Sequence, residues 1–74
     1  MQESTLTQDE IDQLYKKIGL KVKQFRTEKG LSQLELALAI GHKAVGTVST
    51  AEIYTNKKHF NIEHLAKIAE RFVD

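Results

Sequence analysis

A segment of eight residues that begins at Gly30 constrains the fold more than any other part of the chain. It reads Gly-Leu-Ser-Gln-Leu-Glu-Leu-Ala. Ser32 and Glu35 have the spacing of a capping box, which predicts that a helix begins at Ser32. Gly30 can adopt the left-handed conformation that ends a preceding helix, and Gly41 can end the new one in the same way. The segment therefore predicts the end of one helix, a second helix of about two turns, and a tight turn into a third.

A second capping box, Thr7 with Glu10, lies near the start of the chain. After it, apolar residues recur at intervals of three and four, as one face of a helix requires. These residues are Ile11, Leu14, Tyr15, Ile18, Val22 and Phe25. We therefore predict a long first helix over residues 7–29. Gly19 lies inside it and weakens it by roughly 1 kcal/mol relative to alanine, which indicates a close approach by another helix.

Two further helices are predicted after the second. The third extends from about Val45 to Thr55 and is closed by Asn56, a residue type that tolerates the left-handed conformation. The β-branched residues of this segment weakly favour a strand, but the sequence predicts no other strand that could pair with it. Asn61 has the role of an N-cap for a last helix over residues 61–73.

Apolar positions at helical spacing indicate the core of this arrangement. The candidates in the second helix are Leu34, Ala37, Leu38 and Ile40. Those in the third and fourth helices are Val45, Val48, Ile53, Ile62, Leu65, Ile68, Ala69 and Phe72, and Phe60 is a further candidate. The pattern predicts a compact all-α fold of four to five helices, in a single domain over residues 1–74 with its helix-turn-helix at 32–55.

Composition excludes several classes of protein. The chain has no cysteine, which excludes disulfide scaffolds, thiolate metal sites and cysteine nucleophiles. No apolar run approaches the roughly 20 residues of a membrane span, and no leader opens the chain, so we expect a cytoplasmic protein without a membrane partner. The net charge is only +1, but residues 16–60 carry nine lysines and arginines against three glutamates. That local excess favours a polyanionic ligand, with a solvated lysine-rich surface as the alternative.

An enzyme is not expected from the polar residues. The three histidines, His42, His59 and His64, have no helical i,i+4 pair among them, and no cysteine accompanies them. We interpret each as a surface or capping residue. Asp9 and Asp12 fall at the start of a helix, where negative charge is favoured without a catalytic role. The sequence therefore predicts no catalytic residue, no metal site and no cofactor.

The motifs together resemble the Cro and phage-repressor (XRE-type) family of helix-turn-helix domains, over about residues 18–73. The residues that carry the resemblance are Ile18-Gly19, Arg26, Lys29-Gly30-Leu31-Ser32-Gln33, Leu36-Ala37, Gly41, Val48-Ser49, Glu52 and the run Asn61-Ile62-Glu63-His64-Leu65-Ala66-Lys67-Ile68-Ala69. The resemblance implies a lambda-repressor-like fold whose third helix lies in the major groove of DNA. It also implies an ion pair between Arg26 and Glu52, and a DNA-phosphate contact by Gln33.

The resemblance further implies a set of DNA-binding positions. The base-reading positions are Ala44, Val45, Gly46 and Thr50, with Thr47 beside them and Lys43 or His42 contributing from the turn. Lys57 and Lys58 are expected on phosphates, and Tyr54 is expected either on a phosphate or in the core. No Gln, Asn or Arg stands among the base-reading positions, so strong readout by bidentate hydrogen bonds is not expected. This chain has one more residue than the usual pattern before Val48 and two more before Asn56, which predicts a longer turn and an extended third helix.

We therefore expect a non-enzymatic transcriptional regulator of bacterial or phage type that reads double-stranded DNA as a homodimer. The alternative is a protein-interaction module on the same fold, such as an antitoxin or co-regulator, with weak base readout. The start of the first helix, with Leu6 and Tyr15, is a candidate dimer surface. The domain could also belong to a longer protein, because the family usually has a fifth helix.

Overall fold

The protein forms four α-helices and no strand within residues 5–41 and 45–73, the part of the chain that the computed structural model describes. The elements are α1 (Gln8–Glu28), α2 (Gln33–Ala39), α3 (Gly46–Ile53), a short 3-10 helix (Thr55–Lys57) and α4 (Ile62–Phe72). The prediction of an all-α fold is confirmed. None of the described helices combines the length and apolar composition needed to cross a bilayer.

Capping boxes set the first residue of three helices. Thr7 Oγ1 accepts a hydrogen bond from Glu10 N at 3.1 Å, and the Glu10 side chain accepts one from Thr7 N at 3.1 Å. Ser32 and Glu35 make the same reciprocal pair at 3.0 and 2.9 Å. Asn61 caps α4, with the side chain of His64 completing the box. Each box satisfies backbone groups that a helix end leaves without an intrahelical partner, so these starts agree with the sequence prediction.

The core lies where α2, α3 and α4 meet the C-terminal half of α1. Its buried apolar residues are Val22, Leu36, Ala37, Ile40, Val48, Ala51, Phe60 and Ile68. Ile18, Phe25, Leu65 and Phe72 pack against this cluster from partly buried positions. The core is small because a chain of this length buries only a modest share of its surface.

Several predicted core positions are wrong. In α2, Leu34 and Leu38 are exposed, while the neighbouring Leu36 and Ala37 are buried. Ala37 and Ile40 are buried as predicted, so tertiary packing turns the inward side of this seven-residue helix towards Leu36 and away from Leu34 and Leu38. The predicted residues Leu14, Val45, Ile53, Ile62 and Ala69 are exposed as well.

Helix α1 approaches the C-terminal end of α3 through Gly19. A β-carbon added at Gly19 would lie 2.5 Å from the carbonyl oxygen of Ala51 and 2.6 Å from that of Glu52. Glycine is the residue type that permits two backbones to come this close. The close approach that the sequence indicated at this position is confirmed.

Helix α3 ends earlier than predicted. Its last residue is Ile53, and Tyr54 already has left-handed backbone angles (φ 55°, ψ 42°). Asn56 and Lys57 also have positive φ values, of 54° and 58°. The additional residues of this segment therefore form a compact left-handed turn, and the prediction of an extended third helix is wrong.

Candidate nucleic-acid interface

Helix α3 has a buried side and a side that faces solvent. Val48, Ala51 and Glu52 are buried and lie on one side of α3. The other residues from Val45 to Ile53 are not buried. We name this set the α3 outer face; it consists of Val45, Gly46, Thr47, Ser49, Thr50 and Ile53. All six are exposed or partly exposed, so α3 presents one side to the core and the other to solvent.

A buried ion pair fixes α3 against α1 and α2. Arg26 Nε donates to Glu52 Oε2 at 2.6 Å, and the Arg26 and Glu52 side chains are only 12% and 1% exposed. Arg26 also donates to the Leu31 carbonyl oxygen at 2.8 Å, which ties in the connection between α1 and α2. The Glu52 carboxylate thus exchanges water for charge-assisted hydrogen bonds, which a buried charge requires.

Gln33 takes part in the same network. Its Nε2 donates to Glu52 Oε1 at 2.9 Å, across the junction between the start of α2 and the end of α3. An amide nitrogen carries two hydrogens, so this bond uses one donor of Gln33. The predicted phosphate contact of Gln33 stays a prediction, and in this structure its amide holds the two helices of the motif together.

The turn after α3 is anchored to the N-terminal half of α1. The Tyr54 hydroxyl donates to Asp12 Oδ1 at 2.6 Å. Tyr15 stacks on Tyr54, with ring centroids 5.5 Å apart, and on His59, at 3.9 Å. Backbone angles that are unfavourable for side chains other than glycine persist only where surrounding contacts hold them. We name the residues that hold this turn, Asp12, Tyr15, Tyr54 and His59, the turn anchor.

The hydrogen bond between Tyr54 and Asp12 shifts the pKa of both groups. It lowers the pKa of the Asp12 carboxyl, and a hydrogen bond from Gln8 Nε2 at 3.0 Å acts in the same direction. The same bond raises the pKa of Tyr54 to about 12, with desolvation acting in the same direction. The sequence left open whether Tyr54 contacts a phosphate or packs in the core. In the structure its hydroxyl donates a hydrogen bond to Asp12 of α1.

Lys57 and Lys58 lie in this anchored turn and are exposed. The turn therefore presents two adjacent cations next to the C-terminal end of α3. The other lysines of the basic segment that the structure describes, at positions 16, 17, 21, 23 and 29, lie on α1 or at its C-terminus and are exposed there. Lys43 and Ala44, which were also predicted to contact DNA, lie outside the described residues.

The remaining predicted DNA-binding residues, Val45, Gly46, Thr47 and Thr50, all belong to the α3 outer face. Sequence reasoning did not assign Ser49 and Ile53 to this face. Ile53 is 62% exposed, although it was expected in the core. It follows Gly46 by seven residues and therefore lies two turns along the same side. A helical wheel with Val48, Ala51 and Glu52 together placed inward would have put Ile53 on the opposite side.

A concave surface adjoins the α3 outer face. It is lined by Gly46, Thr47, Thr50, Ala51, Asn56, Lys58, His59 and His64. Within the described residues no group of His, Cys, Asp and Glu side chains has the geometry of a metal site. The histidines have other contacts: His59 stacks on Tyr15, and the His64 ring accepts a hydrogen bond from Asn61 N at 3.2 Å.

Comparison with known proteins supports the geometry. A family model described as Helix-turn-helix matches residues 22–72, which is more than half of the chain. Comparison with curated proteins and with solved structures gives no match. The matched region includes α2, α3 and the Arg26–Glu52 ion pair that joins α1 to α3. The chain belongs to the Cro and phage-repressor (XRE-type) helix-turn-helix family, a family of DNA-binding domains with a lambda-repressor-like fold.

Proposed function

We propose that this protein is a transcriptional regulator that binds double-stranded DNA with the α3 outer face in the major groove. The observation that carries the proposal is the two-sided character of α3. Its inner side is held by a backbone contact at Gly19 and by the buried Arg26–Glu52 pair. Its outer side is exposed or partly exposed and bears no charge. A rigidly held helix with an open side is what insertion into a groove requires.

Electrostatic attachment is proposed to come from the ends of α3. Lys57 and Lys58 are exposed in the turn after the helix and can neutralise phosphates. At the other end, the first turn of α3 has no acidic residue and no side-chain cap, so a phosphate near it meets no repulsion. Lys43 and Gln33 are proposed as further phosphate contacts. These groups position the protein on DNA, and the α3 outer face supplies the base contacts.

We further propose that two copies bind together and that the protein acts by binding alone, without catalysis. A helix of eight residues covers only a few base pairs, and a two-fold pair spaced by one turn of DNA doubles the site. Leu6, which precedes α1, and Leu14, in its second turn, are about half exposed and are the proposed contact. Tyr15, also expected there, belongs to the turn anchor of its own chain, and its place in the contact stays a prediction. Residues 1–74 are proposed to act as one domain in the cytoplasm of a bacterium or of a phage-infected cell.

A protein-interaction module such as an antitoxin or co-regulator is the second candidate. The observation that favours it is the uncharged α3 outer face, which has methyl groups where stronger base readers have amides or guanidinium groups. Such a module would bind its partner with little dependence on salt, because its contacts would be mainly apolar.

Selection of duplexes from a random pool tests the proposed function, followed by a salt titration on the enriched sequence. We expect enrichment of a two-fold symmetric site. We also expect the logarithm of the association constant to fall linearly with the logarithm of the salt concentration. A scrambled duplex of equal length and composition is the control. Failure to enrich any sequence, together with salt-independent binding to a protein, would favour the second candidate.

A further inference from the structure

The α3 outer face carries unusual functional groups for a surface that reads bases. Val45, Thr47, Thr50 and Ile53 carry methyl groups, and Gly46 has no side chain. The only charged residue in α3 is Glu52, which is buried in its ion pair. The helix thus offers methyl groups and hydroxyls, and no amide or guanidinium group.

The hydroxyl hydrogens of Ser49 and Thr50 on this face are already used within the helix. Thr50 Oγ1 donates to the Gly46 carbonyl oxygen at 2.7 Å, and Ser49 Oγ donates to the same oxygen at 3.1 Å. A hydroxyl has one hydrogen and two acceptor lone pairs. Ser49 and Thr50 can therefore accept a hydrogen bond from a base, but donation would require breaking an intrahelical bond.

Gly46 leaves an indentation beside these methyl groups. Thr50 follows Gly46 by one turn on the same side of the helix. A β-carbon added at Gly46 would have no heavy atom within 4 Å, so the space beside the helix there is open. The indentation continues into the concave surface lined by Thr47, Thr50 and Ala51. An apolar group of about the size of a methyl can enter between Thr47 and Thr50.

The four base pairs differ in what they offer to such a surface. Guanine presents two acceptors, which Arg or Lys usually pairs, and this face carries neither, whereas thymine presents a 5-methyl group in the major groove. Its partner adenine presents an amino group, which can donate a hydrogen bond to a threonine or serine oxygen. We propose that this protein selects A·T pairs by contact between the thymine 5-methyl groups and the side chains of Thr50 and Ile53. This inference rests on the proposed function, because it names the base feature that the same site reads.

Replacement of thymine by uracil isolates the contribution of the 5-methyl group, because it removes that group and leaves base pairing intact. The probe is the duplex enriched from the random pool, with uracil placed at one thymine position at a time. Removal of one buried methyl group corresponds to roughly a fourfold drop in affinity. We expect such a drop at one or two positions per half-site. Uracil placed outside the footprint serves as the control and should leave affinity unchanged.

Matched variants of Thr50 assign the contact to a side chain. T50S keeps the hydroxyl and removes the methyl group, whereas T50V keeps the methyl group and replaces the hydroxyl by a second one. We expect T50S to bind the thymine and uracil duplexes equally at the position it faces, and T50V to retain the difference. I53A should abolish the difference at a second position. Circular dichroism of each variant establishes that it is folded.

The outcomes separate this inference from the proposed function. An affinity loss with uracil that disappears in T50S or I53A supports the methyl contact, because a double-mutant cycle isolates a pairwise interaction. Sequence-specific binding with no effect of uracil at any position overturns the methyl contact and leaves the proposed function intact. Absence of any enriched duplex overturns both.

Discussion

The Arg26 guanidinium and the Glu52 carboxylate form an ion pair at 2.6 Å that connects α1 to α3 in the interior. Removal of one partner leaves the other charge buried without compensation, which costs more than the intact pair contributes. We expect R26A to lower the free energy of unfolding by about 3 kcal/mol, as measured by urea denaturation. The double variant R26M/E52L should be markedly more stable than R26A. Equal stability of R26A and the native chain would contradict the role assigned to the pair.

Gly19 permits the close approach of α1 to α3, and any side chain at this position must displace the backbone of Ala51 and Glu52. Alanine is intrinsically the better helix former, so propensity alone predicts a more stable G19A variant. We expect the opposite, a loss of about 1–3 kcal/mol from overpacking. G46A is the matched control, because a β-carbon there meets no neighbour within 4 Å; its melting temperature should be unchanged or higher. A gain in stability for G19A would refute the packing argument.

The hydrogen bond between Tyr54 and Asp12 makes stability depend on pH at both extremes. The pKa of Tyr54 is raised to about 12 in the folded protein, so its contribution is complete below pH 10 and is lost as the pH rises towards 12. The pKa of Asp12 is lowered, so its contribution is present above the unfolded pKa near 4 and is lost as the pH falls through the folded value. Y54F should flatten the pH profile of the melting temperature in both regions. An unchanged profile in Y54F would show that other groups dominate.

Lys57 and Lys58 are expected to contact phosphates without reading sequence. K57A/K58A should weaken binding to all duplexes and reduce the slope of the salt dependence by about two, close to one for each phosphate that is no longer neutralised. The control K17A/K21A removes the same charge from exposed positions on α1. Fluorescence anisotropy at several salt concentrations measures both slopes. If the control lowers the slope as much as K57A/K58A does, general charge rather than the turn after α3 is responsible.

Leu14 is proposed to lie in the contact between two copies. L14Q should shift the mass in solution from dimer towards monomer, because it places a polar group in an apolar contact. L20Q is the control, since Leu20 is exposed to the same extent on α1, 52% against 51% for Leu14. Sedimentation equilibrium over a range of concentrations gives both masses. A dimer that persists in L14Q would place the contact elsewhere.

Features that depend on local chemistry were predictable from the sequence. The boxes at Thr7 and Ser32 set the helix starts, and Gly30 and Gly41 end the first two helices with φ values of 71° and 85°. These signals act within one turn of helix, so they depend little on the rest of the chain. The all-α fold follows from them.

Features that depend on tertiary packing were not predictable in the same way. Hydrophobicity placed Ile53 in the core, but the inner side of α3 is occupied by Glu52, whose charge is satisfied by Arg26 and Gln33. The family pattern implied the partnership of Arg26 and Glu52 but not its consequence for Ile53. Similarly, Tyr54 ends α3 in place of Asn56 because Asp12, 42 residues earlier in the chain, holds the tyrosine hydroxyl. Contacts at such separations leave no periodic signal.

The close approach of the α1 and α3 backbones at Gly19 bears on the engineering of this domain. Because α3 is held on its inner side by backbone atoms and by an ion pair, the exposed positions of its outer face, Val45, Gly46 and Ile53, contribute little to its placement. Residues there can be randomised together without disturbing the interior, as the open space around Gly46 illustrates. The domain is therefore a suitable small scaffold for libraries in which new specificities are selected on a constant framework.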